Sequence, residues 1–84
     1  MSNGPVKVNL PKSGMGIDEA TVARWLKSVG DRVRKGEILV EVETAKALQE
    51  VQAPVGGTVA QILVNVGDTV PVNSTLALID AVDE

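Results

Sequence analysis

The chemistry open to a chain of 84 residues without histidine or cysteine is narrow. The commonest general base, the commonest metal ligand and the thiolate nucleophile are all absent. Neither catalysis by this chain alone nor a metal site is therefore expected. What remains is the chemistry of an amine. Lys46 stands in the run Glu43-Thr44-Ala45-Lys46-Ala47, between two apolar stretches that read as strands. At the tip of a hairpin its ε-amine would be held out at full extension, open to a modifying enzyme. An exposed lysine is by default only a solvated charge, so the case for Lys46 rests on the elements that carry it.

Those elements are duplicated. Residues 21–42 laid on residues 58–79 without a gap agree at nine of 22 positions: Thr21/Thr58, Val22/Val59, Ala23/Ala60, Leu26/Leu63, Val29/Val66, Gly30/Gly67, Asp31/Asp68, Val33/Val70 and Leu39/Leu76. A repeat of 37 residues marks a duplicated supersecondary unit that buries its apolar face against its twin. Two units imply one domain of approximate twofold symmetry, and function is to be sought where that symmetry fails.

Composition excludes several classes. A net charge of −3 and a single aromatic residue, Trp25, suit neither a phosphate backbone nor base stacking, so no nucleic acid partner is expected. No apolar run approaches the ~20 residues that span a bilayer, and the polar start Met1-Ser2-Asn3-Gly4-Pro5 lacks the apolar stretch of a signal peptide. We expect no membrane association and a soluble, monomeric domain in a reducing compartment. With no cysteine, stability must come from packing.

Val, Ile, Leu and Thr recur in short runs broken every eight to twelve residues by Gly, Pro, Asn or Asp, the rhythm of a sandwich or barrel. Val6, Val8 and Leu10 alternate with polar neighbours, and Ile38, Val40 and Val42 alternate with Leu39, Glu41 and Glu43, a period of two. The step of three from Val22 to Trp25, repeated from Val59 to Ile62, predicts a bulge or bend. A short helix over residues 18–27 is the competing reading, but Gly56-Gly57-Thr58 opens a helix poorly and the twin should share its conformation. Strands are predicted at 6–10, 20–26, 30–34, 38–43, 47–52, 57–63, 67–71 and 75–79. The fold class is all-β, a flattened barrel or sandwich of two four-stranded antiparallel sheets. The Val-Gly-Asp tripeptides at 29–31 and 66–68 read as tight turns, because both halves carry them. Trp25, aligned with Ile62, reads as core.

Symmetry fails twice. The Gly-containing loop from Pro11 to Ala20 is twice as long as its counterpart Ala53–Gly57, which suggests recognition. The Lys46 hairpin has no counterpart except the end of the chain.

The segment Gly36–Val59, GEILVEVETAKALQEVQAPVGGTV, resembles the lipoyl domains of 2-oxo acid dehydrogenase complexes, in which the lysine of a Glu-Thr-Asp-Lys-Ala turn carries lipoate in amide linkage. Pro11-Lys12, Gly14, Glu19, Thr21, Trp25, Gly30-Asp31, Val33, Gly36-Glu37, Ala53-Pro54 and Gly57 also fall where that pattern has them. The family commonly has Asp before the lysine, where this chain has Ala45, a variation tolerated in acetoin-type complexes.

The resemblance implies a barrel-sandwich hybrid over residues 6–80. Residues 1–5 would be a flexible tail, and 81–84 a second tail or the start of a linker within a dihydrolipoamide acyltransferase. It implies lipoate on Lys46 as a swinging arm. The arm would take an acyl group from a thiamin-dependent decarboxylase, pass it to coenzyme A at the acyltransferase, and be reoxidised by dihydrolipoyl dehydrogenase. A lipoate ligase or lipoyl transferase would install it. Glu43, Thr44, Ala45 and Ala47, together with the loop Lys12, Ser13, Gly14, Met15, Gly16 and Ile17, are expected to be read by these enzymes. Glu41 and Glu50 are further candidates, although acidic strand edges also discourage aggregation. The bacterial cytoplasm, or the mitochondrial matrix in a eukaryote, is the expected location. The nearest rival, a biotin carrier, resembles the same fold but typically has Met on both sides of its lysine. An unmodified adaptor domain of this fold is the alternative of a different class.

Overall fold

Eight strands follow one another along the chain: β1 (Pro5–Asn9), β2 (Glu19–Trp25), β3 (Arg32–Val33), β4 (Ile38–Glu43), β5 (Leu48–Gln52), β6 (Gly57–Ile62), β7 (Thr69–Pro71) and β8 (Thr75–Ala81). The computed structural model describes residues 5–11 and 18–81, and no helix lies among them. The strands form two four-stranded antiparallel sheets, ordered β1-β8-β6-β3 and β5-β4-β2-β7. Advancing each strand label by four turns one order into the other, so the internal repeat is a twofold relation between sheets. Each half of the chain supplies strands to both sheets. Neither half can therefore close its own core, which is why the unit must be doubled.

The registers repeat as closely as the order. Thr21 faces Glu43 and Val22 faces Val42, while 37 residues on Thr58 faces Asp80 and Val59 faces Ile79. The step of three proves to be a bulge in both halves. Pairing jumps between Val22 and Arg24 against β4, and between Val59 and Gln61 against β8. The extra residue, Ala23 or Ala60, is exposed, and it lets the chain turn Trp25 or Ile62 back toward the core.

Alternation fails at one expected position. Leu39, grouped by period with the outward Glu41 and Glu43, is fully buried beside Val40. β4 carries a second bulge between Ile38 and Val40, and two residues opposite one on the partner strand can both point inward. Its twin Leu76 is likewise buried beside Ala77. The core consists largely of such twins: Val22/Val59, Leu39/Leu76, Val40/Ala77, Val42/Ile79 and Val51/Val8.

The Val-Gly-Asp turns stitch one half to the other. The Gly30 N–H donates to the Val59 carbonyl and the Val59 N–H to that of Asp31, while Gly67 donates to Val22 and Val22 to Asp68. Gly30 and Gly67 both have φ of 97°, where a side chain would be strained. Asp31 Oδ2 accepts from the Ser28 N–H and Asp68 Oδ2 from that of Asn65, each at 2.8 Å. These turn residues also shorten β3 and β7 relative to the predicted 30–34 and 67–71, because Gly and Asp are spent in the turn before pairing begins. Trp25 is half-buried against the core, and its Nε1–H donates to the Val64 carbonyl at 3.1 Å.

Candidate functional site

Lys46 sits at the tip of the β4–β5 hairpin. Glu43 facing Leu48 is the last strand pair, and Thr44-Ala45-Lys46-Ala47 connects them. Below the tip, Val42, Val40 and Val51 are buried, so both legs of the hairpin are anchored in the core. Ala45, Lys46 and Ala47 are exposed and Thr44 is half-buried. The turn is shaped by Thr44. Its N–H donates to the Ala47 carbonyl at 2.9 Å, and its hydroxyl donates to the same carbonyl at 2.9 Å. The hydroxyl oxygen also accepts from the Lys46 N–H at 3.3 Å and the Ala47 N–H at 3.1 Å. Such side-chain bonds to nearby backbone stand in for a regular turn. The side chains on either side of Lys46 are methyl groups.

The surroundings are acidic. A shallow open depression of about 370 Å³ lies beside the hairpin, lined by residues 18–21 and 43–45, and the carboxylates Asp18, Glu19 and Glu43 at its margin are exposed. Its floor includes Thr21, whose hydroxyl is hydrogen bonded to that of Thr69 at 2.7 Å. On the outer face, Glu41 lies between Arg24 on one neighbouring strand and Glu50 on the other. The Arg24 guanidinium contacts the Glu41 carboxylate at 3.4 Å, offsetting a like-charge pair that would otherwise cost stability. This pair is too exposed to contribute much by itself.

The predicted recognition loop, Lys12, Ser13, Gly14, Met15, Gly16 and Ile17, lies outside the described residues. Its C-terminal neighbour Asp18 lines the depression with Glu43, Thr44 and Ala45, and the Asp18 carbonyl accepts from the Val72 N–H at 2.9 Å. Of the other expected residues, Glu43, Thr44, Ala45, Lys46 and Ala47 are gathered at one end of β4, while Glu41 and Glu50 stand further down the hairpin's outer face. Two features escaped the sequence reading. Leu48, at the foot of the hairpin, is 56% exposed. Arg24 balances Glu41, and the signal for it was the twin position, which holds Gln61 and faces Leu78 instead.

An exposed lysine on a braced hairpin, above an apolar and duplicated core, has the form of an attachment platform: a protein that presents a group to other proteins. Comparison with known proteins agrees. The family model described as biotin-requiring enzyme, the biotin and lipoyl attachment family, matches residues 6–79. The solution structure of the lipoyl domain of the 2-oxoglutarate dehydrogenase complex from Azotobacter vinelandii is 35% identical and superposes with a TM-score of 0.72, over 90% of this chain and 98% of that one. The acetyltransferase component of the pyruvate dehydrogenase complex of Rickettsia bellii is 42% identical over 76 residues. The succinyltransferase component of the 2-oxoglutarate dehydrogenase complex of Staphylococcus saprophyticus is 44% identical over 73 residues. These matches take in 89% and 87% of the chain but span only 18% and 17% of the two acyltransferases. The chain belongs to the biotin and lipoyl attachment family and within it is a lipoyl domain, a carrier module that performs no catalysis of its own.

Proposed function

We propose that Lys46 carries lipoate in amide linkage through Nζ, and that the domain moves acyl groups and reducing equivalents between the active sites of a 2-oxo acid dehydrogenase complex. The observation that carries this reading is the position of Lys46: exposed, at the tip of a hairpin anchored in the core, at a place where the twofold symmetry is broken. The residues present suit the group. A primary amine on an exposed residue between two alanines offers an acceptor, and its acylation leaves no buried charge to compensate.

Bound there, lipoate supplies a dithiolane that can be opened and closed by two electrons and can hold an acyl group on sulfur. The chain's own contribution is mechanical and electrostatic. Val40, Val42 and Val51 fix the hairpin to the core, and the carboxylates of Asp18, Glu19 and Glu43 give partner enzymes a charged surface to recognise. Tethering to a larger acyltransferase, as in the relatives, would make each visit to an active site effectively intramolecular.

The partners are a thiamin-dependent decarboxylase, the acyltransferase catalytic domain, dihydrolipoyl dehydrogenase, and the lipoate ligase or lipoyl transferase that modifies Lys46. The work would be done wherever that complex assembles, in a bacterium the cytoplasm. Ala45 and Ala47, in place of methionines, favour lipoate over biotin. Intact-mass measurement after co-expression with a lipoate ligase and lipoate tests the proposal. The expected product is one lipoyl adduct, lost in Lys46→Arg with the β-sheet circular dichroism unchanged. A biotinyl adduct, no adduct, or an adduct that persists on Lys46→Arg overturns it.

A further inference from the structure

We propose that Thr44 is the positioning residue of the attachment site, its hydroxyl setting the backbone from which Lys46 projects; this rests on the assignment of Lys46 as the lipoate acceptor. Three of the bonds within the turn involve that one oxygen: donation to the Ala47 carbonyl, and acceptance from the N–H groups of Lys46 and Ala47. The hydroxyl thus grips the chain on both sides of the lysine, leaving the direction of its Cα–Cβ bond little freedom. The Thr44 N–H bond to the Ala47 carbonyl closes the loop without holding the Lys46 N–H.

Ala45 and Ala47, with only methyl groups, supply no hydroxyl of their own. The sheets themselves do not need the hydroxyl, because Thr44 lies beyond the last strand pair, Glu43–Leu48, and its side chain bonds only within the turn. Thr44 is also half-buried while its three successors are exposed, as suits a group turned in to brace the loop.

The consequence separates stability from function. Without the hydroxyl, the Lys46 and Ala47 N–H groups can bond to water at this exposed tip, so unfolding should change little. The lysine would then sample several directions, and only a fraction of molecules would offer the amine in the geometry a ligase requires.

The test compares Thr44→Val, which keeps the shape and loses the hydroxyl, with Thr44→Ser, which keeps the hydroxyl. Lipoate attachment is timed with lipoate, ATP and lipoate ligase, and amide exchange is read by NMR on the unmodified domain. Thr44→Val should lose protection at the Lys46 and Ala47 amides, keep it along β4 and β5, hold its thermal midpoint, and be modified on the order of tenfold more slowly. Thr44→Ser should restore both readouts. Modification of Thr44→Val at the unsubstituted rate overturns the proposal. So does slow modification with the two amides still protected, which would mean that the ligase reads the hydroxyl directly, and so does a serine variant no better than valine. The amide measurement needs no lipoate, so a failure of the carrier reading, visible as unsubstituted protein that takes no adduct, is told apart from a failure of this one.

Discussion

Gly57 and Gly56 are adjacent, yet alanine should have opposite consequences at the two. A Cβ on Gly57 would lie 2.1 Å from the Asp80 carbonyl oxygen, 2.9 Å from its carbon and 3.0 Å from the Ala81 Cα. All three atoms are backbone of β8, so no side chain can swing aside. Relief requires β6 and β8 to separate by about 1 Å, loosening the pairs Gly57–Ala81 and Thr58–Asp80. Overpacking of this kind costs about 1–3 kcal/mol, and the backbone nature of the obstacle argues for the upper end. In a domain of this size that lowers the thermal midpoint by about 4–8 °C per kcal/mol, so a fall of roughly 10–20 °C is expected for Gly57→Ala. A Cβ on Gly56 would come no nearer than 3.6 Å to its surroundings, an ordinary contact. Gly56→Ala should be neutral or raise stability by a few tenths of a kcal/mol through the unfolded chain. The symmetry explains the asymmetry. The twin of Gly57 is Ala20, a buried alanine, and it is tolerated because β4 leaves the sheet at Glu43 for the hairpin, whereas β8 runs on to Ala81 opposite Gly57. Thermal denaturation followed by far-ultraviolet circular dichroism checks the pair. Equal midpoints for the two variants would refute the close-approach argument.

Other consequences are open to measurement. Leu39→Ala should lose about 2–5 kcal/mol in urea unfolding, because the side chain is fully buried, while Leu63→Ala, at a position 45% exposed, should change stability by less than about 0.5 kcal/mol. Trp25→Phe removes the donor to the Val64 carbonyl and should cost about 1 kcal/mol, visible as a lower urea midpoint by circular dichroism. The Glu37 carboxyl is held below its ordinary value of 4.5, first by the Lys27 ammonium that donates to it and then by the Arg34 N–H. A depressed carboxylate stabilises the fold above its unfolded value and loses that contribution as pH falls through its folded one. The midpoint difference between the unsubstituted protein and Glu37→Gln should therefore be constant above pH 4.5 and shrink below it. A difference that grew on acidification would reverse the assigned sign.

Much of the architecture was legible because the chain states it twice. The step from Val22 to Trp25 recurs from Val59 to Ile62, and a local irregularity that survives duplication has a structural cause, here a bulge at Ala23 and Ala60. Val-Gly-Asp was recognised as a turn by the same argument. Leu39 was misplaced because period two assumes an unbroken ladder, and the bulge that turns it inward depends on pairing with β5. Thr44 was expected, from the resemblance, only to be read by partner enzymes, and its grip on Lys46 and Ala47 depends on a hairpin conformation that residue type does not specify. The depression joining Asp18 and Glu19 to Glu43 unites segments more than twenty residues apart, brought together because β2 pairs with β4.

By itself the order of residues determined a duplicated all-β unit, the lysine that breaks its symmetry, and the lack of histidine and cysteine. These follow from composition, period and repeat, which are properties of the chain taken locally. Tertiary structure alone decided that each half gives strands to both sheets, that Gly57 must be glycine, and that acidic residues from two strands flank the lysine hairpin. Each of those is settled by contact between segments far apart in the chain, where hydrogen-bond register and close packing, rather than local preference, choose among the pairings the same pattern would allow.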